Sequence, residues 1–426
     1  MNYAEVYIDI KTHEVSQSFD YIIPHNLSSS IKPGSVVSVT FGNRKETGYV
    51  TRIKSSSSVD PGNLKYINDV AGDLSIFETT RLKLIFWMSA YFIQSVSKII
   101  SFFLPPVHEK KLTLFLKNPD KFIKQVSALP TGKEGYHAGI NKTLKSTREK
   151  HREKTGYPSC HKDLYSNSKL DQIKACMRNE MFRGFLLKNM SPAEKMEVLK
   201  ELCRASLHFK KTSVILSPET DDVQEIYENL NREFKGRVCI YHSDKKQSEK
   251  ISAWHDVFFN RIELIVGTRS AIFLPFHSPG ILILDDIHSI SYKEATISRY
   301  DTRNIALRIG KLFKIPVVFI SNTPPVEMFY RFESSGELEI VDVNGKEERY
   351  TGFIERRVID LKKIDRYRED IHITNELHRA IGKEVNEGNR VLVFLNRRGY
   401  SNFLVCKKCG SIPKCPKCNI SYTFHK

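Results

Sequence analysis

The sequence lacks two features that would mark a membrane protein or a secreted one. Its most apolar stretch, LIFWMSAYFIQSVS between Lys83 and Lys98, has only 14 residues and includes Gln94 and three serines. A membrane-spanning helix needs about 20 consecutive apolar residues, so we expect a buried helix here. The first residues, MNYAEVYIDI, contain no basic segment followed by an apolar one, and we therefore expect no signal peptide.

Acidic residues are too few to balance the basic ones. The chain of 426 residues has 66 Lys and Arg against 49 Asp and Glu, which gives a net charge of +17. Such an excess favours a polyanionic partner such as nucleic acid, and the alternative is a merely basic soluble protein. An anionic membrane surface is not favoured, because the sequence has no strongly basic amphipathic helix. Eight cysteines without an export signal fit a reducing cytoplasm.

The pattern of apolar residues predicts an α/β protein with four segments. Residues 1–105 hold short β-branched and aromatic runs between turn signals, which indicates a β-rich domain closed by the apolar helix. Residues 106–180 are rich in Lys, Arg and His, and we expect a basic connector with short helices and little packing. Residues 181–365 alternate strands with helices, which predicts a mainly parallel sheet. Residues 366–426 supply one more helix and one strand, too few to bury a second parallel sheet.

Glycine is missing where a phosphate-binding loop would need it. The segment RGFLLKNMSPAEKMEVLK has the layout of strand, loop, lysine and helix. A phosphate loop of the GxxxxGK[ST] kind wraps its backbone N–H groups around the phosphates, and glycine permits that geometry. Here only Lys195 remains, while Pro192 removes an N–H and Glu194 places a carboxylate against an anion. The favoured interpretation is a helix N-terminus with Ser191 as N-cap and Glu194 closing a capping box.

A second nucleotide-binding element would be an apolar strand that ends in acids. The sequence ILILDDIH offers one, with Asp285 placed to hold Mg²⁺ and Asp286 beside it. The residue that reaches the attacking water at this place is normally Glu, and Asp is shorter by one methylene. Positional errors near 1 Å can cost on the order of 100-fold in rate. An ordinary strand end remains the alternative interpretation of this weak motif.

Three further strings carry a family resemblance. They are GTRSAIFLPF (267–276), SNTPP (321–325) and FLNRRGY (394–400), which is followed at once by CxxC pairs. In this order they resemble the PriA family, bacterial replication-restart helicases of superfamily 2. The resemblance covers nearly the whole chain and is weakest over 107–180. It implies a RecA-like lobe at 181–365, the start of a second RecA-like lobe at 366–426 with a partial zinc region, and a degenerate winged-helix domain as an alternative for 106–180.

The same resemblance implies a site for the 3′ end of a DNA strand within residues 1–105. Its residues would be Phe19, Asp20, Tyr21, Gly42 and Lys65. Phe19 can stack on a terminal base, which is worth about 1–3 kcal/mol, and Asp20 can accept a hydrogen bond from a 3′-hydroxyl. Gly42 lets the backbone come close, and Lys65 can neutralise a phosphate. Taken singly, these are ordinary core and turn residues.

The departures from the family concern its motor. The family has an intact glycine-rich loop, acids that read DEEH and the string SATP, whereas this chain has SPAEKM, DDIH and SNTP. The motor motifs that follow the zinc region in the family lie beyond Lys426. We therefore expect a PriA-like, bacterial cytoplasmic protein that binds forks, 3′ ends or single strands of DNA, together with primosome proteins, without hydrolysing ATP with Mg²⁺. An ATP-dependent 3′→5′ helicase and a truncated product without function are the alternatives.

The cysteines suggest zinc. The pairs Cys406–Cys409 and Cys415–Cys418 have the spacing of metal ligands, and four thiolates could hold one tetrahedral Zn²⁺. Five residues separate the pairs, fewer than the usual gap of about 15–20. In the family each pair is completed by a later pair that this sequence does not contain. Two orphaned half-sites or one collapsed Zn²⁺ site are the alternatives.

Overall fold

The structure is a computed structural model that describes residues 2–8, 17–127, 168–295, 299–343, 357–360, 373–394 and 411–414. Its contacts group residues 1–345 into one compact unit and residues 346–426 into another. The second unit contains helix α11 (Asn375–Asn386), in which the Thr374 side chain accepts a hydrogen bond from Leu377 N. Within the described residues, no helix combines the length and apolar character that crossing a bilayer requires.

The first unit begins with a five-stranded antiparallel sheet, as the alternating runs predict. Its strands lie in the order β2-β1-β4-β3-β5. One face carries an apolar core that includes Val6, Tyr21, Val39 and Ile67. The prediction of a β-rich N-terminal region is confirmed. The strands are β1 (Tyr3–Ile8), β2 (Phe19–Ile22), β3 (Ser35–Phe41), β4 (Arg44–Lys54) and β5 (Ile67–Ser75).

The apolar stretch after this sheet forms two helices instead of the single one predicted. Helix α1 (Thr79–Phe92) ends at Ile93, whose φ of 53° places it in the left-handed region. Helix α2 (Val96–Phe103) begins at once, with Ser95 accepting a hydrogen bond from Lys98 N. The polar residues that made the stretch unsuitable for a membrane therefore mark a helix end and a helix start.

The start of the expected connector is better packed than its composition indicates. It forms α3 (Glu109–Lys117) and α4 (Pro119–Ser127), so short helices are confirmed. Leu112, Phe115 and Leu116 are buried, because their i, i+3, i+4 spacing puts them on one face. Gly72 of β5 lies against the end of α3: a Cβ there would lie 2.6 Å from Leu116 O. The expectation of little packing was therefore wrong for 109–125.

The rest of the first unit is a seven-stranded parallel sheet, which confirms the prediction from 181 onwards. Its order is β12-β6-β11-β10-β7-β9-β8. Helices cover the sheet and bury nearly every strand residue, which explains the continuous apolar runs. The strands are β6 (Gly184–Lys188), β7 (Thr212–Leu216), β8 (Val238–Tyr241), β9 (Leu264–Gly267), β10 (Pro279–Leu284), β11 (Val317–Ile320) and β12 (Leu338–Asp342). The helices are α5 (Ser168–Arg178), α6 (Pro192–His208), α7 (Thr220–Glu233), α8 (Gln247–Phe258), α9 (Thr302–Phe313) and α10 (Val326–Ser334).

One buried arginine connects a helix next to the antiparallel sheet with a loop of the parallel-sheet region. Arg81 of α1 donates to Leu274 O at 3.1 Å and to Phe276 O at 2.7 Å. Its guanidinium also lies 4.8 Å from the centre of the Phe276 ring and 5.6 Å from that of Phe103. The antiparallel sheet with its helices is thereby tied to the loop that follows β9, which lies in the GTRSAIFLPF string.

Candidate nucleotide and DNA-end sites

The carboxyl edge of the parallel sheet brings together the two nucleotide elements predicted from the sequence. Strands β6 and β10 are separated by β11 alone, so the segments that follow them meet at the edge where α/β proteins bind ligands. Lys195, in the first turn of α6, places its Nζ 2.6 Å from Asp285 Oδ2. Asp285 is fully buried. The lysine and the acid form an ion pair across the intervening strand.

Charge at this edge is dominated by carboxylates. Burial raises the pKa of Asp285 to about 6, although Lys195 acts in the opposite direction. Burial also raises the pKa of Asp222, with Asp286 adding to the effect. Burial alone would lower the pKa of Lys195, but Asp285, Asp286 and Asp222 outweigh it and the pKa is raised. The positive charge of Lys195 is therefore already balanced by the carboxyl groups of these three aspartates.

Side-chain oxygens accept hydrogen bonds from several N–H groups of the loop between β6 and α6. Ser191 N donates to Glu194 Oε2 at 2.7 Å, and Glu194 N donates to Ser191 Oγ at 3.3 Å. This is the capping box expected from the sequence, with Pro192 in the first turn. Asn189, at a φ of 60°, donates from its N–H to Asn322 Oδ1 at 2.8 Å. These side-chain oxygens take N–H groups that a phosphate loop would present to an anion.

Asp286 lies beside the Lys195–Asp285 ion pair and contacts Asp285 through its backbone. Its φ of 47° is in the left-handed region, and its N–H donates to Asp285 Oδ1 at 3.0 Å. Nearby, His288 Nδ1 is 3.1 Å from Ser321 Oγ, which links the DDIH and SNTP strings through space. The strings that the sequence offered as motor motifs thus share one edge of the sheet.

The DNA-end residues lie on the antiparallel sheet, and four of the five gather at one place. The Phe19 ring contacts the Phe41 ring edge-on, with 5.0 Å between ring centres. Tyr21 is buried and its hydroxyl donates to Thr40 O at 3.2 Å. Gly42 follows directly in the turn at a φ of 55°, and Lys65 Nζ donates to Gly42 O at 2.7 Å.

Asp20 points to the opposite face of β2 from Phe19 and Tyr21, because successive strand residues alternate. Its Oδ1 accepts from Lys54 Nζ at 2.9 Å and its Oδ2 accepts from Ser57 Oγ at 2.7 Å. Burial opposes ionisation of Asp20, but the hydrogen bonds from Ser57 and Lys54 outweigh it and lower its pKa. The structure thus places Asp20 at the edge of the group and not inside it.

The predicted zinc ligands Cys406, Cys409, Cys415 and Cys418 lie outside the described residues. Among the residues that are described, no three His, Cys, Asp or Glu side chains are grouped to hold a metal ion. Zinc binding stays a prediction. The described cysteines Cys176, Cys203 and Cys239 carry no disulfide, and burial raises the pKa of the last two to about 12, which fits packing residues.

Sequence reasoning missed several residues that organise these sites. Lys54 and Ser57 contact Asp20, and Phe41 pairs with Phe19. Asn322 contacts Asn189 in the loop before α6. Alternation along β2 was the one available signal, since it separates Asp20 from its two neighbours. The substitution of Asn322 in SNTP was visible as a departure, but its bond to Asn189 spans 133 residues and no local pattern reports it.

Sequence comparison identifies several known proteins that are similar to this chain. The family model of the PriA 3′DNA-binding domain matches residues 5–105. The replication restart protein PriA of Bacillus subtilis is 24% identical and matches 100% of this chain and 66% of its own length. That of Rickettsia prowazekii is 26% identical over 96% of this chain and 56% of its own length. That of Borreliella burgdorferi is 28% identical over 67% of this chain and 42% of its own length.

Among solved structures, a hypothetical ATP-dependent RNA helicase from Sulfolobus tokodaii matches 47% of this chain and 57% of its own, with 14% identity and a TM-score of 0.31. The 3′DNA-binding domain that residues 5–105 match is followed in this chain by an α/β region with a parallel sheet. Over its whole length the chain is similar to the replication restart proteins of the PriA family, and residues 5–105 match that family's 3′DNA-binding domain. It spans two thirds or less of the length of the relatives named above.

Proposed function

We propose that this protein is a replication-restart factor that binds DNA at forks and 3′ ends and does not hydrolyse ATP. The observation that carries the proposal is the contrast between its two sites. The DNA-end residues Phe19, Tyr21, Gly42 and Lys65 lie together at one corner of the antiparallel sheet. The loop of the nucleotide site, by contrast, is closed by its own side chains.

Support for DNA binding comes from charge and from the surface around Gly42. The net charge of +17 favours a polyanion. The turn after Phe41 is exposed and continues into Arg44 and Lys45, so basic groups flank the glycine. Tyr66, next to Lys65, is 54% exposed. An exposed ring beside basic side chains is the combination that holds single-stranded nucleic acid.

Support for lost ATP hydrolysis comes from the hydrogen bonds of residues 189–195. Glu194 holds its carboxylate against Ser191 N at the start of α6, and its negative charge opposes an anion there. Asn322 takes the N–H of Asn189. Three carboxyl groups already surround Lys195. A triphosphate would have to displace each of these contacts in order to bind.

The DNA proposal is tested with synthetic forks whose leading-strand end carries either a 3′-hydroxyl or a 3′-phosphate. We expect about tenfold tighter binding to the hydroxyl end, since a hydrogen bond to a charged acceptor is worth about 1.5–3 kcal/mol. Asp20→Asn should remove most of that difference, while Lys32→Met, a change at an exposed lysine elsewhere in the domain, should keep it. Equal binding of both ends by the wild-type protein would contradict the proposal.

An ATP-driven 3′→5′ helicase is the second candidate, and one observation favours it. Lys195 lies in the first turn of α6, which follows β6, and Asp285 directly follows β10, so a lysine and a magnesium-binding acid would be in place if the loop opened. DNA-stimulated ATP hydrolysis separates the candidates. We expect the wild-type rate to equal that of Lys195→Met. A wild-type rate that rises with single-stranded DNA and falls in the variant would establish the enzyme instead.

A further inference from the structure

Lys54 organises the surroundings of Asp20, although it lies outside the set of residues that the family resemblance supplied. It is the last residue of β4, and its side chain is 29% exposed while that of Asp20 is 9% exposed. Its Nζ lies 2.9 Å from Asp20 Oδ1 and 2.8 Å from Glu5 Oε2. One ammonium group thus links carboxylates of β1 and β2 on the same face of the sheet.

The second oxygen of Asp20 is fixed from a different direction. Ser57 Oγ donates to Asp20 Oδ2 at 2.7 Å, and Ser57 is itself held because its Oγ accepts from Val59 N at 3.1 Å. Each carboxylate oxygen has two lone pairs. Asp20 is therefore held at both oxygens, and each of them can still accept one further hydrogen bond.

We propose that Lys54 is a positioning residue for 3′-end recognition, holding the Asp20 carboxylate in the orientation that accepts a hydrogen bond from a 3′-hydroxyl. The inference rests on the proposed function, because it gives Lys54 a role through Asp20. Lys54 need not touch the DNA. It acts by limiting the rotation of a short side chain at the start of β2, where Ser57 alone would leave Oδ1 free.

The charged surroundings make the proposal sensitive to pH. Asp20 faces Lys54, with Glu5 beside them, and Tyr7 of β1 interacts electrostatically with Glu5, Arg52 and Lys54. When charged, Asp20 only accepts hydrogen bonds, and protonation turns one of its oxygens into a donor. Lys54 favours the charged form while burial opposes it. Without Lys54, the preference for a hydroxyl end should fade at a higher pH as the solution is acidified.

The experiment compares a fork that ends in a 3′-hydroxyl with one that ends in a 2′,3′-dideoxynucleotide, which lacks the hydroxyl and does not titrate. Binding of the full chain is measured by fluorescence anisotropy from pH 5 to pH 8. We expect an approximately tenfold wild-type preference for the hydroxyl end at pH 8, less than threefold for Lys54→Met, and a preference near that of the wild type for Lys54→Arg. Lys32→Met controls for the loss of one positive charge.

Ser57→Ala provides an independent variant without a change of charge, and it should lower the preference by about threefold. Thermal unfolding of each variant identifies any that does not fold. If Asp20→Asn abolishes the preference while Lys54→Met and Ser57→Ala retain its size at every pH from 5 to 8, the role of Lys54 is wrong and the proposed function stands. If the wild-type protein shows no preference, both fail.

Discussion

The Nζ of Lys195 lies 2.6 Å from Oδ2 of Asp285, which has no exposed surface at all. The pair joins the first turn of α6 to the end of β10 across 90 residues of sequence. The energetics of the pair follow from its burial, because a carboxylate that loses its paired cation in a dry site must either stay charged at high cost or take up a proton.

Lys195→Met should therefore destabilise the fold in a pH-dependent way. The pKa of Asp285 is about 6 in the folded protein, above its ordinary value, so the folded state binds the extra proton and the contribution of this group to stability falls as pH rises from about 4 to about 6. Removing the lysine should cost about 3–5 kcal/mol at pH 8 and much less at pH 5. Urea unfolding at both pH values measures this.

The control is Lys200→Met on the same helix, where the partner Glu197 is largely exposed. We expect a loss of less than about 1 kcal/mol that does not depend on pH in this range. A Lys195→Met variant that loses equal stability at pH 5 and pH 8 would show that the charge of Asp285 is not the cause.

Arg81→Lys should be strongly destabilising although it keeps the charge. Burial lowers the pKa of Arg81 to about 10, and its planar fork satisfies two carbonyl groups while stacking over Phe276. Lysine offers neither the fork nor the stacking, so we expect a loss of about 2–3 kcal/mol. Arg52→Lys, at an exposed site, should change stability by less than about 0.5 kcal/mol, and thermal unfolding compares the two.

Gly72→Ala tests how α3 is held on the antiparallel sheet. The new Cβ would lie 2.6 Å from Leu116 O, at a φ of 78°, so strain and collision act together. Gly236→Ala is matched to it, with a φ of 76° and open space around the new Cβ. We expect the first variant to lose at least about 2 kcal/mol more than the second. Equal losses in urea unfolding would mean that Leu116 moves aside freely.

Lys65→Met addresses the DNA-end site. Its Nζ donates to Gly42 O and is exposed, so it can add a phosphate contact without giving up a buried partner. We expect weaker binding to hydroxyl and blocked ends by the same factor, and a salt slope smaller by about 0.7 to 0.9. Titrations at several salt concentrations measure both. A change confined to the hydroxyl end would assign Lys65 to the terminal group instead.

Whether a feature could be predicted from the sequence depended on how far apart along the chain its interacting residues lie. Six strands of the parallel sheet and the capping box of Ser191 and Glu194 are local patterns, and they were predicted correctly, whereas β12 was missed. Three contacts join segments that are distant in sequence: Lys195 with Asp285, Asn189 with Asn322, and Arg81 with Leu274. Hydrophobic periodicity and secondary-structure propensity carry no information about such contacts. The break at Ile93 was also missed, because apolar residues continue through a helix end that is set by backbone conformation and by the Ser95 cap.

The bonds of Asn189 and Ser191 also bear on whether the loop could be reopened by mutation. A glycine at position 194 alone would leave the N–H of Asn189 still held by Asn322, and an alanine at position 322 alone would leave the Glu194 carboxylate in place. Each single step would lose a stabilising hydrogen bond before any nucleotide could compensate for it. A loop able to take up a nucleotide would therefore require several substitutions together, because each of these side chains closes it independently of the others.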